Sequence, residues 1–444
     1  MIKFRQLWSN LRSSLWFLPL LIVAASVVLA VVLIEADSSG SGRLLAEWPR
    51  LFGAGAAGAR GMLSTIAGSM ISVVGVTFSM TLVALAMASS QYTSRILRNF
   101  MSSRITQGVL GIFAGIFTYC LIVLRAIRGG DEGAFVPQLA AFFGFVLAVG
   151  GVGVLIFFIH HVASSIQASS IVASVAHETV QAIDRLFPKQ LGNGPAEADD
   201  YRASFPLTGR PWQIIPAKTS GYIQSVNSAV LLRIAKQQTT IVRMERGIGE
   251  FVVQDTPLVS LGLEGPQDAE TTDALQDAFS LSYHRTLEQD AAFGIRQLVD
   301  VALKALSPGI NDTTTAVTCI DYLTMILSRL APRDIPASHR HEDGALRVIA
   351  IGPSFESILG EAFDQIRESA KGNLGIMLRL LGAFQTIASL TTNPERRQAL
   401  HEQVESIAEL AVRTIDSPHD RACFDHRLRQ VREAPTAKPT SSTG

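Results

Sequence analysis

The polar residues that could do chemistry gather in a few places. The richest stretch holds His284, Arg285, Asp290, Arg296, Asn311 and Asp312. A pocket built from them would suit an anion, because a helix start offers free N–H groups beside the arginines. The plainer account is a helical hairpin held by caps and ion pairs, with Asn311 or Asp312 as the capping oxygen. Two further groups, His339-Arg340-His341-Glu342-Asp343 and His419/Cys423/His426, are of metal-ligand type. Zinc sites show tighter paired spacings, so no metal is assigned. Gly247-Ile248-Gly249 lacks the third glycine and the helix of a dinucleotide site, and neither a phosphate-binding loop nor a nucleophile elbow occurs. These patterns give no catalytic residue, no cofactor and no enzyme.

The elements that position these residues follow from composition. The chain has 444 residues and zero formal net charge, room for about three ordinary domains. Residues 1–160 hold 11 Lys/Arg against 5 Asp/Glu, leaving 27 against 33 for the rest. A basic membrane half therefore precedes a mildly acidic soluble half, and neither is basic enough to suggest nucleic acid. Three scattered cysteines, Cys120, Cys319 and Cys423, read as reduced thiols.

Four apolar runs, 15–34, 61–94, 105–124 and 135–159, predict four membrane spans. The first follows Lys3, Arg5 and Arg12 but offers no small-x-small cleavage site, so it is expected to stay as an uncleaved helix. The fourth continues without Gly or Pro to Phe187-Pro188, which predicts one unbroken helix ending in a stalk over 161–188. The basic, acid-free amino terminus and the connection holding Arg95, Arg98 and Arg104 place both termini in the cytoplasm. Residues 95–101 read as a short interfacial helix.

Small residues crowd the spans: Ser64, Gly68 and Ser72; Gly75, Thr77 and Ser79; Gly111 and Gly115. Such faces let helices approach closely, and Gly68 and Gly75 are expected in a close contact. They serve a packed bundle, a subunit interface or a pore wall. No Asp, Glu, Lys or Arg lies inside a span, which argues against an ion-coupled carrier.

After a polar linker at 191–195, residues 199–265 are strand-rich. The segments beginning at Gly221 and Gly249 resemble the strand-turn rhythm of biotinyl/lipoyl barrel-sandwich modules. The modified lysine of those modules has no counterpart here, so a small structural barrel is expected. Residues 266–433 read as mainly helical, with Arg296, Asp300 and Lys304 as a solvated row on one helix and 347–351 as one more strand. The tail from 434 reads as disordered.

The stretches SSQYTSRILRNF, FIHH, RTLEQDAAFGIRQLVDVALKALSPGINDTTTA and AFDQIR together resemble the bacterial membrane proteins called domain of unknown function 2254. The resemblance implies a multi-pass inner-membrane protein and brings no activity or catalytic residue. Where the family pattern carries Pro after the Asn-Asp pair, this chain has Thr313. The architecture expected is an α-helical membrane bundle of four spans (1–160), the stalk, and a cytoplasmic α+β domain, a small β-barrel-like module followed by helices. The expected partners are the lipid bilayer and further copies of the chain. Two functional readings stand: an oligomeric channel-like assembly, and a sensor or scaffold whose cytoplasmic domain binds a ligand or partner protein.

Overall fold

The four apolar runs fold as α1 (Phe17–Ser38), α2 (Ala56–Gln91), α3 (Arg104–Ala126) and α4 (Gln138–Ser165). Each is long and apolar enough to cross a membrane. The computed structural model describes residues 16–38, 55–91, 104–128, 135–165, 167–187, 211–263, 268–287, 289–336 and 338–433. The amino-terminal basic cluster, Arg95 and Arg98 with their interfacial helix, the 191–195 linker and the tail from 434 lie outside the described residues. The chain divides into two units, Met1–Ser170 and Ile171–Gly444.

In the first unit α3 packs against α1, α2 and α4. Its side chains Phe113, Ile116, Tyr119 and Cys120 are buried with Leu63, Ala67 and Met70 of α2 and Ala140 of α4. Polar groups at one end fasten the bundle. Asp37 of α1 accepts from the N–H groups of Leu139 and Ala140 at 3.3 and 3.1 Å, filling two of the donors that a helix start leaves open. The Tyr119 hydroxyl donates to the Ala140 carbonyl at 2.7 Å.

The close helix contacts use other glycines than Gly68 and Gly75. A Cβ built on Gly111 would lie 2.7 Å from Ile22 and 2.9 Å from the Pro19 backbone, and one on Gly115 would lie 2.5 Å from the Ser26 hydroxyl. Among the described residues, a Cβ built on Gly68 or Gly75 would meet nothing within 4 Å. They lie on the exposed face of α2 with Ser64, Ser72 and Ser79, while Thr77 is buried. Spacing reveals a small-residue face but does not show which face meets a helix of the same chain.

The unbroken stalk is also corrected. α4 ends at Ser165, Gln167 forms a bend, and α5 (Ala168–Leu186) begins beyond it. Ser164 donates its hydroxyl to the His160 carbonyl at 2.9 Å. A serine-rich stretch of this kind offers side-chain competitors for backbone carbonyls and weakens helix continuity.

The second unit is mixed α/β and, among the described residues, holds no closed barrel. Its strands are β1 (Gln213–Pro216), β2 (Gly221–Val226), β3 (Val242–Met244), β4 (Phe251–Val252), β5 (Pro257–Leu261), β6 (Phe279–Ser282), β7 (His339–Glu342) and β8 (Ala345–Ile349). They form a five-stranded sheet of order β1-β5-β3-β8-β7 and a three-stranded antiparallel sheet of order β4-β2-β6. Closure fails because β3 pairs in parallel with β8, far later in the chain, Val242 facing Val348. β2 likewise pairs with β6, in a region expected to be helical. Ile215, Ile223, Val242, Val259, Leu261 and Phe279 fill one core with α6 (Ser228–Gln237) and α7 (Ala269–Asp277).

The remaining helices are α8 (Ala291–Ala305), α9 (Thr313–Leu330), α10 (Phe355–Ser369), α11 (Leu374–Ala388), α12 (Pro394–Thr414) and α13 (Pro418–Arg432). Each helix from α6 onward starts on an Asn, Asp or Ser whose side chain accepts an N–H of the first turn, which satisfies a donor the helix cannot satisfy itself. α5 approaches α8 closely at one point: a Cβ at Gly294 would fall 2.0 Å from the buried Thr179 hydroxyl.

Gly111→Leu and Gly115→Leu should each overpack the α1–α3 contact at a cost of about 1–3 kcal/mol. Gly68→Leu and Gly75→Leu should leave the stability of a single chain unchanged. Thermal unfolding in detergent compares the four, and a neutral Gly111 variant would contradict the packing described.

Candidate functional site

The residues singled out in the 284–312 stretch do not converge on one pocket. Asp290 caps the start of α8 and Asp312 the start of α9. The 15 residues of α8 separate them, about 22 Å at the helical rise. At the far end, the Asp312 carboxylate accepts the Thr315 N–H at 3.0 Å and the Thr315 hydroxyl at 2.5 Å. These bonds, the hydroxyl first, hold its carboxyl below the usual carboxylate range. Asn311 takes a left-handed backbone, φ +50°, that turns the chain out of α8. Behind this cap Cys319 is fully buried, and burial pushes its thiol up to about 12. Arg296 pairs with Asp300 at 2.8 Å and lies 3.6 Å from Glu361 of α10. That pair is half-buried between helices, not the solvated row expected.

The near end is more elaborate. Asp290 is 5 % exposed. It accepts from Arg285 Nε at 2.7 Å, from Arg285 Nη2 at 3.0 Å and from the Phe293 N–H at 3.0 Å. The two parallel bonds from Arg285 make a bidentate pair, and its guanidinium carbon stands 5.2 Å from the Phe293 ring centroid. Gly249 closes the third side, since with φ +85° a Cβ there would fall 2.5 Å from Asp290 Oδ2 and 2.9 Å from Arg285 Nη2. Gly247-Ile248-Gly249 thus serves as the backbone wall of a buried ion pair. His284 is exposed and contributes its carbonyl, which accepts from Gln224 at 2.7 Å.

This ion pair borders a cleft of about 480 Å³. Val226, Leu231, Met244 and Val348 give it an apolar floor, and Leu186 and Phe187 form one wall at the end of α5. Ala291 and Ala292, in the first turn of α8, also line it, as do Ile351 and Pro353. The polar lining is Ser228, Glu250, Gln289, Asp290, Ser338 and Arg340. An apolar cavity with a few placed polar groups is the usual form of a small-molecule site. His339 and His341 lie with Arg340 in β7, whose backbone pairs with β8. Among the described residues no group of three His, Cys, Asp or Glu is placed to hold a metal.

Sequence reasoning missed the residue that sets the α5 wall. Arg333 is 4 % exposed, and its Nη1 donates to the carbonyls of Ile183 and Phe187 while Nη2 meets Asp184 at 2.5 Å. Arg329 adds bonds to the same carboxylate at 2.9 and 3.2 Å. One guanidinium therefore closes carbonyls at the end of α5.

Asp312→Ala should cost about 1 kcal/mol, while Asp312→Asn, which also caps, should stay within a few tenths at pH 7. Because the native carboxyl is depressed, its contribution is complete above the unfolded value of about 3.9 and is lost as pH falls through the folded value. Melting curves should therefore show any advantage of wild type over the Asn variant shrinking below about pH 4; an advantage that grows there would contradict the cap. Asp290→Ala should cost more than Asp312→Ala, since it removes a cap and leaves Arg285 unpaired. Gly249→Ala should cost about 1–3 kcal/mol for its backbone conformation alone. Equal melting of the Gly249 variant and wild type would remove the ion-pair wall from the account.

Comparison with known proteins agrees with this architecture. The chain is 31 % identical over 450 residues to the uncharacterized proteins Mb1321c of Mycobacterium bovis and Rv1290c of Mycobacterium tuberculosis, covering 98 % of this chain and 84 % of each relative. No solved structure matches it. The family described as "Predicted membrane protein (DUF2254)" matches residues 12–386, which takes in all four candidate spans and the α8–α9 motif, and the chain belongs to that family.

Proposed function

We propose that the chain is a multi-pass protein of the bacterial inner membrane that binds a small molecule in the cleft of its carboxyl-terminal unit and catalyses no reaction. The observation that carries this reading is the cleft itself, about 480 Å³ with an apolar floor and a few polar groups. Its wall includes Leu186 and Phe187, so a bound molecule would touch the end of α5, the helix that follows the fourth span in the chain. That placement suits a sensor or scaffold. The basic amino terminus and the scattered cysteines, read as reduced thiols, support a cytoplasmic position for both termini.

A second reading, an oligomeric channel-like assembly, is favoured by the outward face of α2. Ser64, Gly68, Ser72, Gly75 and Ser79 are exposed there, and a face of this kind admits close approach of another helix. On this reading the partners are the bilayer and further copies of the chain, with no nucleic acid.

The test is site protection in the full-length protein in nanodiscs. Ser338→Cys places a thiol at the cleft in a Cys423→Ser background, where the remaining cysteines are buried. A low-molecular-weight bacterial extract should slow maleimide labelling at position 338, and Ala292→Trp, which fills the cleft, should abolish the slowing. Labelling unaffected by the extract would overturn the reading.

A further inference from the structure

Resting on the cleft reading, we propose that the molecule bound is an amphipathic anion, with its apolar body on the cleft floor and its carboxylate or phosphate against Arg340. The argument is a balance of charge at the lining. Three charged residues reach the cleft: Glu250, Asp290 and Arg340. Asp290 is neutralised by the bidentate Arg285, and Glu250 lies 3.7 Å from Arg246. Arg340 stands exposed on β7, and among the described residues no carboxylate pairs with it. The lining therefore carries one uncompensated positive charge beside an apolar cavity. A cation would be repelled, and a neutral apolar molecule would leave Arg340 without a role. A planar guanidinium suits both carboxylate and phosphate.

The same labelling assay decides it, with octanoate, octyl phosphate and octan-1-ol as probes on Ser338→Cys/Cys423→Ser, with and without Arg340→Gln. Both anions should slow labelling at concentrations about tenfold below those the alcohol needs, a difference of about 1.4 kcal/mol. Arg340→Gln should remove that preference and leave the alcohol's effect and the melting temperature unchanged. Equal action of anions and alcohol, insensitive to Arg340→Gln, overturns the anion and leaves the cleft reading standing. No slowing by any probe overturns the proposal, and whether the extract still protects then shows if the cleft reading falls with it. Nanodiscs of phosphatidylglycerol and of phosphatidylcholine separate the sources. Protection in the former without added probe, lost in Arg340→Gln, identifies a bilayer lipid, and protection only with added anion identifies a soluble one; both support the proposal.

Discussion

The carboxyl-terminal unit depends on a buried arginine that closes the end of a helix. Arg333 gives up nearly all of its solvation, a cost of several kcal/mol that the bonds of its two Nη atoms offset in part, its Nε meeting no partner among the described residues. Its partners are the Asp184 carboxylate and the last carbonyls of α5. Its own carbonyl, with that of Ala331, accepts Arg396 Nη1 at 2.8 and 2.7 Å. Burial holds the Arg396 guanidinium below its usual range, yet two carbonyl acceptors at the end of α9 hold it in place. The same device recurs where Arg421 donates to the Ala411 carbonyl of α12 at 3.0 Å. Helix ends that water would otherwise satisfy are closed by side chains from the next element, so α5, α9 and α12 are fixed to one another through their termini.

That arrangement sets the cleft. Phe187, whose carbonyl Arg333 holds, is also a lining residue, and Ala291, another, begins the helix that Thr179 of α5 approaches at Gly294. The Arg285–Asp290 pair then fixes the first turn of α8, and Gly249 admits it without a Cβ in the way. The cleft is therefore bounded by elements held by short-range geometry on several sides. A molecule bound there would act on the end of α5 through packing contacts, which is the physical content of a sensor reading.

Much of this was legible in the sequence, and the failures have identifiable causes. Apolar runs of spanning length gave the four helices, and the Asn311-Asp312 pair after Pro-Gly marked the cap at Asp312, because both signals are local; the cap at Asp290 is read only from the structure. The barrel expectation failed because β3 takes a partner from beyond α9 and β2 one from beyond α7, and strand pairing over such separations leaves no local trace. Gly68 and Gly75 meet no described residue of their own chain, because a small-residue face is equally present whether it meets a helix of the same chain or not. Arg333 escaped because its carboxylate partner lies 149 residues away. The sequence places Gly249 at the start of a strand-turn segment, and nothing local tells that it faces an ion pair formed by Arg285 and Asp290.

The central claim is that the cleft and the end of α5 respond together. Hydrogen exchange in the full-length protein in nanodiscs, with and without octanoate, measures this directly. The account predicts slowed exchange both in 247–250 and 350–353 at the cleft and in 183–187 at the end of α5. Slowing confined to the membrane helices, or at the cleft with the end of α5 unchanged, would contradict it.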